Sequence, residues 1–180
     1  MLSEFQKRKL KRNFDIFDFD GNGVLTQDDY ELIVDNLAKL RNYQQPSPEY
    51  EQLNSKIIGY WSELVKIAGT NNGEVTLSEW WDYCNAMMST SYSYEKLIEP
   101  LSHINFWLID TDSNEKITLA EYKQLAACCK FNTNEAAQAF TKLDLDGSGF
   151  IEKQELLRHL YDFFYSNNPE APGNWILGPF

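Results

Sequence analysis

The twelve residues Asp144-Leu-Asp-Gly-Ser-Gly-Phe-Ile-Glu-Lys-Gln-Glu155 decide how the chain folds. Oxygen-bearing side chains occupy positions 1, 3, 5 and 12, a backbone carbonyl is available at position 7, and Glu152 at position 9 can hold a water. Ca²⁺ takes six to eight such hard ligands from a loop between two helices. Gly149 at position 6 permits the sharp left-handed turn that the loop needs. The predicted calcium ligands are Asp144, Asp146, Ser148, Phe150 (through its carbonyl) and Glu155.

Residues 18–29 repeat this spacing with one change at position 12. Asp29 stands there in place of glutamate and is one methylene shorter, so it can reach an ion with a single oxygen or draw its helix inward. A ligand set with fewer oxygens suits the smaller Mg²⁺, and we therefore expect Mg²⁺ to compete with Ca²⁺ in this loop. The predicted ligands are Asp18, Asp20, Asn22, Val24 (through its carbonyl) and Asp29.

Residues 110–121 carry a third copy in which every ligand position is filled. The departure is Glu115 at position 6, where a residue with a side chain must accept a strain of about 1 kcal/mol to adopt a left-handed backbone. We expect the loop to bind calcium nevertheless, because its oxygen ligands are complete. The predicted ligands are Asp110, Asp112, Asn114, Lys116 (through its carbonyl) and Glu121.

Residues 68–79 keep the frame of the loop without its ligands. Ala68 and Thr70 occupy positions 1 and 3, where the other loops have aspartates. Without those carboxylates too little negative charge remains to strip water from calcium, so we predict a vacant loop. Its expected role is structural, since Val75 can pair with Leu25 in a short ladder between the first two loops.

Apolar residues recur at helical spacing on both sides of every loop, as Tyr30, Ile33 and Leu37 do after the first. Four helix–loop–helix units therefore follow one another, which predicts an all-α fold with short β ladders between paired loops. The expected domains are 1–88, with a filled and a vacant loop; 94–165, with two filled loops; and the apolar tail 166–180.

The tail combines helix-breaking prolines with the apolar residues Trp175, Ile176 and Leu177. A disordered tail is usually more polar, so we predict that this one folds back onto a groove. A frayed chain end is the alternative.

The net charge of the 180 residues is −11, and much of the acidity lies in the loops. Such a chain does not suit nucleic acid, whose phosphates need Lys and Arg. The three cysteines Cys84, Cys128 and Cys129 are odd in number and badly spaced for disulfides, which is typical of a reducing compartment. No stretch approaches the ~20 apolar residues of a membrane span, and no signal peptide is recognisable. We expect a soluble, cytoplasmic monomer.

The fourfold repeat resembles the EF-hand superfamily over essentially the whole chain. The segments DYELIVDNLAKL, LIDTDSNEKITLAEYK and LYDFF, the vacant second loop and the apolar tail resemble the sarcoplasmic calcium-binding protein group, which includes calexcitin, calerythrin and the coelenterazine-binding protein. The resemblance implies two EF-hand pairs packed into one compact body around an aromatic core. It also implies calcium in the first, third and fourth loops.

The leading functional hypothesis is a calcium buffer or closed signal modulator rather than an enzyme. Sensors that grip target helices usually expose a Met-rich groove, and this chain has only three methionines. A sensor that binds a target protein is one alternative. A calcium-regulated carrier of an apolar small molecule is the other, with a pocket that could be lined by Trp61, Trp80, Trp81, Trp107 and Trp175.

Two further features of the sequence carry expectations. His103 and His159 are the only histidines and lie in no nucleophile motif, so we expect His103 to have a core or boundary role. The basic cluster comprises Lys7, Arg8, Lys9, Lys11 and Arg12. We expect it to form a solvated helix face, with contact to an acidic lipid or partner as the alternative.

Overall fold

The computed structural model describes residues 1–70, 72–89, 98–128 and 131–178. The expected connector at 89–93 lies outside these ranges except for its first residue, and so does Cys129. The described helices and strands, in chain order, are α1 (Glu4–Phe17), β1 (Val24–Leu25), α2 (Gln27–Leu40), α3 (Pro48–Ala68), β2 (Val75–Thr76), α4 (Leu77–Met88), α5 (Glu99–Ile109), β3 (Lys116–Thr118), α6 (Leu119–Cys128), α7 (Thr133–Leu143), β4 (Phe150–Glu152) and α8 (Lys153–Tyr165). A 3₁₀ helix follows at Pro172–Trp175.

Local hydrogen bonds explain where the first helix begins. Ser3 Oγ accepts a bond from the amide of Gln6 at 3.1 Å, and Gln6 Oε1 accepts one from the amide of Ser3 at 3.0 Å. This reciprocal capping box satisfies two donors that the helix itself leaves unpaired. The third helix begins at Pro48, where the fixed φ angle of proline suits the first helical position.

Two short antiparallel ladders join the loops in pairs. In the first, Leu25 lies opposite Val75, as predicted, and in the second Ile117 lies opposite Ile151. All four side chains are buried, so each ladder also anchors its loops to the core. The predicted all-α fold of two helix–loop–helix pairs is therefore confirmed.

The two pairs share one aromatic core. The first helix packs against both α4 and α8, and α2 packs against α6 across the halves. Ring contacts include Phe14 with Trp80 at 6.5 Å between centroids and Tyr122 with Phe140 at 5.9 Å. Within the described ranges, no helix combines the length and the apolar character that a membrane span requires.

The C-terminal segment (residues 166–178) folds back onto the body, as expected for the apolar tail. Its 3₁₀ helix packs against α7 and α8. The hydroxyl of Tyr122 donates to the carbonyls of Trp175 and Ile176 at 3.1 and 3.0 Å, and the Ile176 side chain is buried. The segment is thus held by both polar and apolar contacts.

Substitution of Gly173 by alanine is expected to disrupt this packing. A Cβ atom there would lie 2.2 Å from the carbonyl oxygen of His159 and 2.5 Å from Cβ of Asp162. The clash should lower the free energy of unfolding by about 2 kcal/mol in urea titrations. Gly59→Ala is the matched control, since nothing lies within 4 Å of the added Cβ in α3 and alanine favours helices by about 1 kcal/mol. If Gly173→Ala is as stable as the unmodified chain, this account of the packing is wrong.

The expectation of a solvated basic face on α1 is wrong for one of its residues. Lys9 is fully buried, and its Nζ donates to the carbonyls of Asp162 and Ser166 at 3.0 and 2.8 Å and to Asn174 Oδ1 at 3.0 Å. The cause is its place on the helix, because Lys9 lies on the same buried stripe as Leu10. Burial lowers the pKa of Lys9 to about 8, although the charge of Asp162 opposes the shift.

Candidate metal centres

The third loop gathers the carboxylates predicted to bind calcium. One oxygen each from Asp110, Asp112 and Glu121 lies within 4.8 Å of the others. Asp110 is oriented by the amides of Asn114 and Glu115, which donate to its two oxygens at 3.1 and 3.0 Å. The loop backbone therefore holds the position-1 carboxylate in place.

Glu121 spans the third loop from the first turn of α6. Its Oε1 accepts from the amide of Thr111 at 2.8 Å, and its Oε2 accepts from the amide and hydroxyl of Thr118, both at 2.9 Å. Burial alone would raise the pKa of Glu121, but the hydrogen bonds from Thr118 and Thr111 outweigh it and lower the pKa. The carboxylate is therefore charged at neutral pH and aimed into the loop.

The chemistry of this group fits a hard divalent cation. Its donors are all oxygens, and the like charges of Asp110, Asp112 and Glu121 repel one another at such short range. In the described part of the chain the only salt bridges are Lys7–Glu4 and Lys11–Asp15, so no cationic side chain neutralises the loop. Ca²⁺ or Mg²⁺ would supply the missing positive charge.

Glu115 adopts the left-handed backbone that position 6 requires, with a φ angle of 64°. We expect Glu115→Gly to raise the free energy of unfolding by about 1 kcal/mol, because glycine adopts this conformation without strain. Urea unfolding in a chelator would measure the effect without bound metal. The matched reverse change is Gly149→Ala at the same loop position, where φ is 87°, and it should lower stability by a similar amount. Equal stabilities in all three proteins would contradict the idea of strain at Glu115.

The first loop has the same arrangement despite its shorter residue at position 12. Oxygens of Asp18, Asp20 and Asp29 lie within 4.8 Å of one another. Asp29 Oδ1 accepts from the amide of Phe19 at 2.8 Å, and its Oδ2 accepts from the amide of Thr26 at 2.8 Å. Asp29 therefore reaches back across the loop with one oxygen while the other caps its own helix, as Glu121 does in the third loop.

The fourth loop orders two of its carboxylates but leaves the third apart. The amide of Ser148 donates to Asp144 and to Asp146, at 3.0 Å in each case, and hydrogen bonds from Ser148 lower the pKa of Asp146. Glu155 accepts from the amide of Glu152 at 3.1 Å. Among the residues that the structure describes, Asp144, Asp146 and Glu155 do not form a group within 4.8 Å.

A residue at position 9 distinguishes the loops. Thr26 and Thr118 stand there in the first and third loops, and the hydroxyl of each donates to the position-12 carboxylate at 2.9 Å. Glu152 occupies position 9 of the fourth loop and has no hydroxyl to donate. Sequence reasoning missed the role of the threonines, although a threonine three residues before an acidic one is the signature of a capping box.

The second loop ends one helix and starts the next. Ala68, at its position 1, is the last residue of α3, and Gly69 follows with a φ angle of 70°. Glu79 Oε2 accepts from the amide and hydroxyl of Thr76 at 2.8 and 2.7 Å, which caps α4. Asn71 lies outside the described residues, and those described here bring no carboxylate group together. The geometry is that of a structural turn.

A cavity of about 800 Å³ lies between the two pairs and extends to the C-terminal segment. Its lining is mostly apolar and comes from both halves, with Ile176 and Leu177 at the tail. The expected pocket of five tryptophans is wrong, because only Trp80 lines this cavity. Trp107 instead lines a surface groove of about 580 Å³ between α3 and α5.

The two histidines differ from each other in environment. His103 is exposed at the surface groove, so the expected core or boundary role is wrong. His159 is buried, and its Nε2 lies 2.7 Å from the carbonyl oxygen of Leu143 at the end of α7. Burial lowers the pKa of His159 despite that hydrogen bond. A neutral imidazole joining two helices is the role that this geometry supports.

Comparison with known proteins finds several that resemble this chain in sequence or in fold. Residues 136–161 match the family model described as EF hand. The sequence is 25% identical to calerythrin of Saccharopolyspora erythraea over 92% of this chain and 95% of that protein. It is 24% identical to the luciferin-binding protein of Renilla reniformis over 97% of this chain and 94% of that protein. The structure of a sarcoplasmic calcium-binding protein from amphioxus covers 100% of both chains with a TM-score of 0.78 at 18% identity, a likeness of fold.

The chain is thus similar, over nearly its whole length, to calcium-binding EF-hand proteins of the sarcoplasmic calcium-binding protein group. The predicted family and the predicted ion are confirmed. No enzyme family is indicated by these matches.

Proposed function

We propose that this EF-hand protein binds Ca²⁺ in loops 18–29, 110–121 and 144–155 and acts as a cytoplasmic calcium buffer or closed signal modulator. The observation that carries the proposal is that the first and third loops each hold a cluster of three carboxylates. Within each cluster, one oxygen from each carboxylate lies within 4.8 Å of the others. Their oxygens are positioned by backbone amides and are not neutralised by any described ion pair. Residues 1–88 and 94–165 act as the two EF-hand pairs, and the loop at 68–79 stays empty.

The fourth loop needs a local adjustment before its carboxylates can gather as those of the first and third loops do. Asp144 and Asp146 are already ordered, so a cation bound between them would attract Glu155 from the first turn of α8. Glu155 carries the two oxygens that position 12 supplies to calcium.

The contacts of the C-terminal segment favour a closed protein over a sensor that opens to bind a target helix. The Tyr122 hydroxyl donates to the carbonyls of Trp175 and Ile176, and Lys9 Nζ donates to Asn174 Oδ1. Opening the body would break these buried hydrogen bonds, each of which stabilises the fold by about 1 kcal/mol.

Calorimetric titration with Ca²⁺, with and without Mg²⁺, tests the proposal. We expect three equivalents of Ca²⁺, with the loop at 18–29 the most sensitive to Mg²⁺ because of Asp29. A dye that fluoresces on exposed apolar surface should change little during the titration. A large dye signal on adding Ca²⁺ would favour the target-binding sensor, and an absence of binding would defeat the proposal altogether.

A second candidate function is carriage of an apolar small molecule, and the 800 Å³ cavity is the observation that favours it. This volume falls in the range of small-molecule pockets. Leu108→Trp, which would fill part of the cavity, should abolish binding of an apolar fluorophore if the cavity is its site. Leu32→Trp is the control, because Leu32 is exposed. Equal binding by both variants would exclude the cavity.

A further inference from the structure

Arg41 links the first EF-hand pair to the third loop. It follows the last residue of α2, the helix that leaves loop 18–29. Its Nη2 donates to the carbonyl oxygen of Asp110 at 3.2 Å and also to that of Trp107. Asp110 supplies position 1 of loop 110–121, and Trp107 lies in the last turn of α5, which enters that loop. A side chain from one pair thus holds the backbone at the start of a calcium loop in the other.

The environment of the guanidinium shows that this contact is specific. The Arg41 guanidinium carbon lies 5.2 Å from the centroid of the Trp107 ring, and Nη1 donates to the hydroxyl of Tyr43 at 3.3 Å. In the described part of the chain, no carboxylate forms a salt bridge with it. Its Nη2 instead meets carbonyl oxygens at the C-terminal end of α5, where the helix dipole favours a cation.

The opposite end of α2 is held by the first loop. Asp29, at position 12, lies in the first turn of this helix. The twelve residue-to-residue steps from Asp29 to the C-cap Arg41 span about 18 Å at about 1.5 Å per step. A tilt of about 5° at the loop would therefore move Arg41 by about 1.5 Å, enough to make or break its hydrogen bonds to Asp110 and Trp107.

We infer that Arg41 couples the two loops, so that Ca²⁺ in loop 18–29 raises the Ca²⁺ affinity of loop 110–121. This inference rests on the proposed function, since both loops must bind Ca²⁺. An ion that draws on Asp29 fixes the orientation of α2, and the fixed helix holds Arg41 on the Asp110 carbonyl. The position-1 backbone is then ordered before the second ion arrives, which lowers the entropy cost of binding it. We expect a coupling of about fivefold in affinity, at the low end of known couplings.

Site-resolved titration can measure this coupling. The position-6 amides of the three filled loops belong to Gly23, Glu115 and Gly149, and each donates to the position-1 aspartate of its own loop. Their NMR resonances should therefore report Ca²⁺ binding loop by loop. Four proteins form the cycle: the unmodified chain, Asp18→Ala to empty the first loop, Arg41→Met, and the double variant.

Asp18→Ala should weaken Ca²⁺ binding at the Glu115 amide about fivefold when Arg41 is present. The same change should have no effect at Glu115 when Arg41 is methionine. A merely structural role for Arg41 would not remove the dependence of one loop on the other, so an unchanged fivefold effect in the Arg41→Met background overturns the inference. If the Glu115 amide does not respond to Ca²⁺ in any of the four proteins, the proposed function fails at this loop instead.

Two more variants separate charge from hydrogen bonding. Lys56 Nζ also lies over the Trp107 ring, 5.3 Å from its centroid, without a described hydrogen bond to the third loop. Lys56→Met should therefore leave the coupling intact, and loss of coupling in this variant would count against Arg41. Arg41→Lys keeps the charge but lacks the planar fork, so the coupling should fall in this protein even if Arg41→Met folds poorly. Full coupling in Arg41→Lys would contradict a role for the fork.

Discussion

Glu121→Gln is expected to remove one equivalent of Ca²⁺ from the calorimetric stoichiometry and to weaken the third loop at least about a hundredfold. The change removes a negative charge and turns one oxygen of position 12 into an amide nitrogen, which cannot coordinate Ca²⁺. That nitrogen would also face the amide and hydroxyl donors of Thr111 or Thr118, which now hold the carboxylate in place. Both the charge and the orientation of the ligand are lost.

Glu79→Gln is the matched control. It makes the same change at the same position of the second loop, where the carboxylate accepts an equivalent pair of bonds from Thr76. Because that loop has no aspartate at position 1 or 3, the stoichiometry should not change. If Glu79→Gln loses an equivalent while Glu121→Gln keeps it, the assignment of filled and vacant loops must be reversed.

Lys9→Met is expected to lower the free energy of unfolding by about 3 kcal/mol at pH 7. The ammonium group serves three buried acceptors, and methionine fills the space while leaving all three without a donor. For a chain of this size the melting temperature should fall by roughly 10 °C. Lys11→Met removes an exposed ion pair with Asp15 and should change stability by less than about 0.5 kcal/mol. Equal melting temperatures for the two variants would contradict a structural role for Lys9.

The difference in stability between the unmodified chain and Lys9→Met should depend on pH. The pKa of Lys9 falls from 10.5 to about 8 on folding, so the folded protein binds this proton less tightly than the unfolded chain. Its contribution to stability is therefore fully present above pH 10.5 and is lost as the pH falls through 8. As the pH rises from about 8 to 10.5, the unmodified chain should become more stable relative to Lys9→Met, by up to about 1.4 kcal/mol per pH unit. The raised pKa of the buried Cys84 thiol acts in both proteins and cancels. A difference that does not vary with pH would contradict the shift.

Local patterns in the sequence predicted the parts of the molecule that depend on neighbouring residues. The three acidic loops follow from ligand spacing, and the pairing of Leu25 with Val75 follows from their common position in two loops. The buried face of α2 follows from helical periodicity, since Tyr30, Ile33 and Leu37 are all buried there. In these cases the pattern that predicts the feature can be read within a single loop or a single helix.

The features that sequence reasoning missed depend on residues far apart in the chain. Lys9 lies on the buried stripe of α1, but the acceptors that satisfy its ammonium group come from α8 and the C-terminal segment, far away in the chain. Arg41 meets Asp110 across the two halves. The shape of the cavity, which excludes four of five tryptophans, likewise depends on how the described helices pack together. Periodicity identifies the buried face of a helix but not its neighbour.

The bond between Lys9 and Asn174 has a consequence for biosynthesis. The two residues are 165 positions apart, so at about 5–20 residues per second a ribosome makes the acceptor roughly 10–30 s after the donor. During that interval the nascent first helix carries an ammonium group that remains hydrated and cannot enter its final environment. The N-terminal helix should therefore complete its docking only late in translation, after α8 and the C-terminal segment have been made.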